Sequence, residues 1–256
     1  MDQNNDNSIS LNKYISSTGI CSRREADKMI LEGRVTLNGQ AVQLGNRVVE
    51  GDVVKIDGKP LKSRPRPRYL AYNKPVGIVC TTDLKERHNI IQAIGQKERL
   101  FPIGRLDKAS EGLIFLTNDG DIVNKILRAG NNHEKEYLVS VKQAITPDFI
   151  KKMSGGIPIL GTVTKACQVT QISQHTFKII LTQGLNRQIR RMCEFLNYEV
   201  TQLKRTRIMN VPLGNLKTGQ WRELSDQEVA HINKLVASSS KTQEASIDIN
   251  RKKKKK

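Results

Sequence analysis

Phe101-Pro102-Ile103-Gly104-Arg105-Leu106-Asp107-Lys108-Ala109-Ser110-Glu111-Gly112-Leu113-Ile114-Phe115-Leu116-Thr117-Asn118-Asp119-Gly120-Asp121 is the stretch that decides how this chain is read. Leu113 to Thr117 is a short apolar run between Gly112 and Asn118-Asp119-Gly120, which predicts a buried strand ending in a turn. The residues before it are not built for packing. Gly104 to Lys108 sets opposite charges side by side, where a fold usually places neutral turn residues. A carboxylate between Arg105 and Lys108 is favoured as the anion, because nearby positive charge stabilises it. An ionised, positioned aspartate can act as nucleophile or base. On spacing alone, an exposed charged loop accounts for Asp107 equally well.

A second stretch, Gly184-Leu185-Asn186-Arg187-Gln188-Ile189-Arg190-Arg191-Met192-Cys193-Glu194-Phe195-Leu196, carries one apolar stripe through Ile189, Met192, Cys193 and Leu196. At about 100° per residue, Arg187 and Arg191 point away from that stripe and are natural phosphate contacts. Arg190 borders the stripe and can reach into a cleft. A third stretch, Glu134-Lys135-Glu136-Tyr137-Leu138-Val139, alternates as a half-buried strand with Tyr137, Val139 and Val141 on one side. A tyrosine so placed is most simply core.

Toward the N-terminus, residues 1–9 are polar and Asn-rich and predict disorder. Leu11, Tyr14 and Ile15 fall at helical spacing. Ser22 and Glu25 form a capping box opening a helix that Gly33 ends, and Asn38-Gly39 signals a tight turn between short strands. Arg23 and Arg24 fall in the first turn of that helix, where free N–H groups already favour phosphate. Cations there oppose the helix dipole unless an anion is bound. Lys62-Ser63-Arg64-Pro65-Arg66-Pro67-Arg68, basic and proline-rich, predicts an extended linker over residues 63–68.

Beyond it, Leu70 and Tyr72, then Ile78-Val79-Cys80, predict two strands around Asn73-Lys74-Pro75-Val76-Gly77. Thr146-Pro147 predicts a helix start. Val163 to Ile172 and His175 to Thr182 predict a strand pair, and Ser225 with Glu228 a capping box for a last helix through about Val236. From residue 237 the chain is Ser-rich, then Lys-rich, and predicts a disordered basic tail.

The 256 residues hold 43 Lys and Arg against 25 Asp and Glu, a formal net charge of +18. That excess implies an anionic partner, nucleic acid being the commonest. No apolar run approaches the roughly 18–20 residues of a membrane span, and the N-terminus is not signal-like, so a cytoplasmic protein is expected. Four scattered cysteines with no C-x-x-C spacing predict neither a zinc site nor a disulfide framework.

Gly104-Arg105-Leu106-Asp107, Gly112-Leu113-Ile114 and Leu116-Thr117-Asn118-Asp119-Gly120 resemble the catalytic-aspartate motif of the A-type family of ribosomal small-subunit pseudouridine synthases. Cys21-Ser22-Arg23-Arg24-Glu25-Ala26 and Gly33-Arg34-Val35-Thr36-Leu37-Asn38-Gly39 resemble the S4 RNA-binding domain, over about residues 10–60. The resemblance implies an α+β protein. A small S4-like domain at residues 10–62 is followed by a mixed, mainly antiparallel synthase domain with flanking helices at residues 69–236.

It further implies Asp107, Tyr137 and Arg190 as catalytic, with Arg190 paired to the aspartate and Tyr137 stacked on the base. Asp107 would be a nucleophile at C1′ or a base at C2′. Arg23, Arg24, Arg105, Leu106, Lys108, Arg187, Gln188, Ile189 and Arg191 are the expected RNA contacts. No cofactor or metal is expected, and the protein is expected to be a monomer. The implied substrate is a uridine in large-subunit ribosomal RNA, with a transfer RNA anticodon stem-loop as a second possibility. The alternative is a non-enzymatic RNA-binding or ribosome-assembly protein.

Overall fold

The computed structural model describes residues 8–127 and 132–237; the expected tail, apart from Ala237 at the end of the last helix, and most of the expected N-terminal disorder lie outside them. The chain forms two compact units, one ending at Arg68 and including Lys97–Arg99, the other comprising Tyr69–Gln96 and the residues from Leu100 onward.

The first unit contains β1 (Ile9–Ser10), α1 (Leu11–Ser17), α2 (Arg23–Leu31), β2 (Val35–Leu37), β3 (Gln40–Ala41), β4 (Arg47–Val48), β5 (Val54–Ile56) and β6 (Lys59–Pro60). α2 opens on the expected capping box: Ser22 Oγ accepts from the Glu25 amide at 3.2 Å, and the Glu25 carboxylate accepts from the Ser22 amide at 2.6 Å. Asn38 and Gly39 both adopt positive φ, the backbone that a two-residue hairpin turn between β2 and β3 requires. Leu11, Ile15, Ala26 and Ile30 close the helices over Val35, Val54 and Ile56. Ile9, expected to be disordered, instead pairs with Val48 in β1. A strand of two residues is too short to register in a polar stretch.

The second unit contains β7 (Tyr69–Lys74), α3 (Ile90–Ile94), β8 (Phe101–Ile103), β9 (Glu111–Thr117), α4 (Gly120–Leu127), β10 (Lys135–Val141), α5 (Pro147–Gly155), β11 (Pro158–Ile159), β12 (Thr162–Val163), β13 (Gln168–Ser173), β14 (Thr176–Leu181), α6 (Gln188–Phe195), β15 (Val200–Ile208), β16 (Val211–Pro212), β17 (Trp221–Glu223) and α7 (Asp226–Ala237). Among the described residues a nine-stranded sheet runs β13-β14-β10-β15-β9-β7-β17, with β16 on β15 and β8 on β9. Its pairs are antiparallel except β15 with β9, so the α+β class with a mixed, mainly antiparallel sheet holds.

Both faces of the sheet are covered. Tyr137, Val139, Phe177 and Ile179 pack with Phe149 and Met153 of α5 and Met192 and Cys193 of α6. Leu113 and Phe115 pack on the other face with Ile122 and Ile126 of α4 and Ile232 and Val236 of α7. β9 therefore reads as a continuous apolar run rather than an alternating one.

Two expected elements differ, and one helix was not expected. Ile78-Val79-Cys80 is no strand: the buried Lys74 ammonium donates to the carbonyls of Pro75 at 2.8 Å and Ile78 at 2.9 Å and curls the chain there. The strand expected from Val163 to Ile172 is split: Val163 ends β12, and β13 begins only at Gln168, after the Cys167 amide is bonded to the Ser154 carbonyl at the end of α5. α3 was not anticipated, although Asn89 caps it by accepting from the Gln92 amide at 2.8 Å and Gly95 ends it in the left-handed region.

Candidate active site

The loop between β8 and β9 carries Asp107, and four contacts fix its backbone. The Leu106 amide meets Cys80 Sγ at 3.3 Å, and Leu106 itself is buried. The Lys108 carbonyl accepts from the Gly77 amide at 2.7 Å, and the Asp107 carbonyl from the Ser110 amide at 3.0 Å. Arg190, buried on α6, donates from Nη2 to the Ala109 carbonyl at 3.0 Å and to Ser110 Oγ at 3.3 Å. A loop so tied presents one carboxylate in a fixed place.

Gly112, at the start of β9, explains part of the spacing. It has φ +105°, and a Cβ there would stand 2.3 Å from the Arg205 carbonyl across the parallel β9–β15 pair. Only glycine lets the strands approach so closely.

The expected pairing of Arg190 with Asp107 is corrected. Arg187 Nη1 lies 3.7 Å from the Asp107 carboxylate, whereas Arg190 grips the backbone of the same loop. Arg187 is the N-cap of α6 in the left-handed region, so helical angles do not describe where its side chain points. Burial, and then the neighbouring Arg187, push the Arg190 pKa below its ordinary value, with Asp107 acting against them. Arg105 and Lys108 are exposed; among the described residues, the ion pair of Asp107 is with Arg187 rather than with either of them.

Asp107, Tyr137, Arg187 and Arg190 line one cavity of about 870 Å³, together with Arg105, Leu106, Lys108, Gln188 and Ile189. Arg191 is turned to Asn186 instead, its Nε donating to that carbonyl at 3.1 Å. Arg23 and Arg24 lie in the first unit, in the first turn of α2 as expected.

Two basic residues of the cavity were missed. Arg205 is buried opposite Tyr137 on β15, its Nε donating to the Leu113 carbonyl at 2.6 Å and its guanidinium 5.9 Å from the tyrosine ring. Lys135 shares the strand face of Tyr137, and burial, then Arg205, push its pKa down to about 8. The signal for Lys135 was present in the same alternation that placed Tyr137. Arg205 sat in a run of cations read only as charge.

An aspartate held on a braced loop, an aromatic ring on a strand and a ring of cations define a site suited to a nucleotide. The family model for RNA pseudouridylate synthase matches residues 68–195, and that for the S4 domain matches residues 10–54. The chain belongs to the RNA pseudouridylate synthase family and is an RNA pseudouridine synthase with an N-terminal S4 domain. It is 57% identical over 237 residues to the dual-specificity RNA pseudouridine synthase RluF of Escherichia coli (strain K12), covering 92% of this chain and 82% of that one. It is 33% identical over 234 residues to the ribosomal large subunit pseudouridine synthase B of Bacillus subtilis (strain 168), covering 88% and 96%. The crystal structure of a pseudouridylate synthase aligns with a TM-score of 0.65 at 27% identity, covering 89% of this chain and 99% of that chain.

Proposed function

We propose that this enzyme isomerises a specific uridine of large-subunit ribosomal RNA and also accepts a uridine in a transfer RNA anticodon stem-loop. Supporting the reading are the relatives named for dual specificity and for the ribosomal large subunit. The observation that carries the site assignment is the placement of Asp107, Tyr137, Arg187 and Arg190 around one cavity.

The target nucleotide leaves its stack to enter that cavity, at a cost of a few kcal/mol. Asp107 then acts as nucleophile at C1′ or as base at C2′ while the bond to N1 of uracil breaks. The base turns and rejoins through C5. Tyr137 stacks on the uracil and assists removal of the C5 proton. Arg187 holds the carboxylate of Asp107 in place, and Arg190 holds its loop. Arg23, Arg24, Arg105, Leu106, Lys108, Gln188, Ile189 and Arg191 contact the surrounding RNA. The protein acts as a monomer in the cytoplasm, with residues 10–62 as RNA-binding domain and 69–236 as catalytic domain.

Mapping pseudouridines in ribosomal and transfer RNA from cells with and without the gene tests the substrates; an unchanged map refutes them. Asp107→Asn is expected to keep RNA affinity and thermal stability while single-turnover isomerisation falls at least about 10²-fold. Near-normal turnover in that variant would remove Asp107 from the chemistry.

A further inference from the structure

Lys135 is a lysine where a lysine is unfavourable. It precedes Tyr137 by two residues on β10, so both side chains leave the same face of the strand, about 7 Å apart. Its partners across the sheet, Leu181 and Ile208, are apolar. Its Nζ donates to the His133 carbonyl at 3.1 Å and, among the described residues, makes no ion pair with a carboxylate. The neighbouring Glu134 and Glu136 are turned to Arg207, at 2.9 and 3.9 Å.

The charges around Lys135 are mostly of its own sign. Arg205 stands against it from β15; Arg105 and Lys108 of the aspartate loop and Arg187 and Arg190 from the start of α6 line the same cavity. His133, beside it, is buried and held below its ordinary pKa by that burial and by Lys135. Among the described residues Asp107 is the one carboxylate lining the cavity, and Arg187 already faces it. A partly buried cation without an anion costs stability unless negative charge arrives from outside.

The reaction supplies such charge. When C1′–N1 breaks, the bonding pair leaves with the uracil and is spread over N1, O2 and O4. A ring stacked on Tyr137 brings an exocyclic oxygen within reach of a lysine one strand repeat away. We infer that Lys135 is a further catalytic residue of this pocket, its ammonium hydrogen-bonding an exocyclic carbonyl of the extruded uracil and balancing the base anion between cleavage and rejoining. The inference rests on the uridine reading of the cavity. Lys135 keeps its protons throughout. The C5–C1′ bond forms from the anion, the C5 proton is lost and N1 is protonated, so the reaction remains an isomerisation with no co-reactant.

A preorganised donor facing a developing anion contributes about 10²–10³-fold to rate. With its pKa at about 8, the ammonium is charged at neutral pH and lost above that value.

Single-turnover rates at saturating RNA, with RNA affinity, measured from about pH 6 to about pH 10 across the lysine range, test this for the wild type, Lys135→Met, Lys135→Arg and Asp107→Asn. Lys135→Met is expected to bind RNA normally, melt no lower at neutral pH, and react about 10²-fold more slowly. Lys135→Arg is expected to recover rate and to lose the decline expected of the wild type above about pH 8. A wild-type rate in Lys135→Met, with or without weaker RNA binding, overturns the inference, as does an alkaline decline that persists in Lys135→Arg. An active Asp107→Asn overturns the reading of the cavity itself. Loss of activity in Asp107→Asn with normal Lys135→Met overturns only the role of the lysine.

Discussion

Arg187 and Arg190 stand three residues apart and serve Asp107 by different physics. Arg187 is exposed and meets the carboxylate at 3.7 Å, a contact that water and salt weaken. Arg190 is buried, and its guanidinium is the donor for the Ala109 carbonyl and Ser110 Oγ. Truncating Arg190 therefore strips the aspartate loop of a donor on its inner side, which costs about 1–3 kcal/mol, and lets the carboxylate drift. A displacement of about 1 Å can slow chemistry about 10²-fold. Arg190→Ala is accordingly expected to melt lower and to lose turnover together. Arg187→Ala is expected to leave thermal stability within about 0.5 kcal/mol and to act on turnover alone, more visibly at low salt. Melting curves alongside single-turnover rates at two salt concentrations separate them. Equal melting losses in both variants would show that the two arginines share one structural role.

At the scale of the element, the β8–β9 loop is fixed by the strand that follows it. β9 can run beside β15 only because position 112 has no side chain: a Cβ would meet the Arg205 carbonyl at 2.3 Å and its amide nitrogen at 2.6 Å, both backbone atoms. Gly112→Ala adds this clash to a φ that alanine avoids. It is expected to cost at least about 2–3 kcal/mol and to reduce activity by shifting Arg205 and with it Tyr137. A denaturant titration checks the cost, and a loss below about 0.5 kcal/mol would mean the strands separate freely. The same elements show what sequence can and cannot reveal. Ser22 with Glu25, Ser225 with Glu228, Asn38-Gly39 and Thr146-Pro147 were legible because caps and turns are local chemistry. Asp107 and Tyr137 were placed by motif. The partner of Asp107 was not legible, because Arg187 sits on a left-handed cap where helical periodicity does not apply. The curl at Ile78 depends on a buried Lys74, which an apolar-run reading takes for a strand.

For the whole molecule, the formal net charge of +18 is far more than one nucleotide pocket needs. The excess belongs with RNA beyond the target uridine, and the first unit offers a specific place for part of it. Ser22 and Glu25 already satisfy two polar groups at the start of α2, and the exposed Arg23 and Arg24 add positive charge where the helix dipole is positive. Free of RNA these charges oppose the dipole, so removing them is expected to leave the fold as stable or slightly more so. Bound to phosphate they release counterions, and each lost contact flattens the dependence of log K on log salt by about 0.7 to 0.9. The double variant Arg23→Ala, Arg24→Ala in the full chain should reduce the magnitude of that slope by about 1.4 to 1.8 while single-turnover rate at saturating RNA stays unchanged. RNA binding measured at several salt concentrations decides it. An unchanged slope with weakened binding would mean that α2 touches the RNA through uncharged contacts, and an unchanged slope with unchanged binding that its arginines face solvent alone.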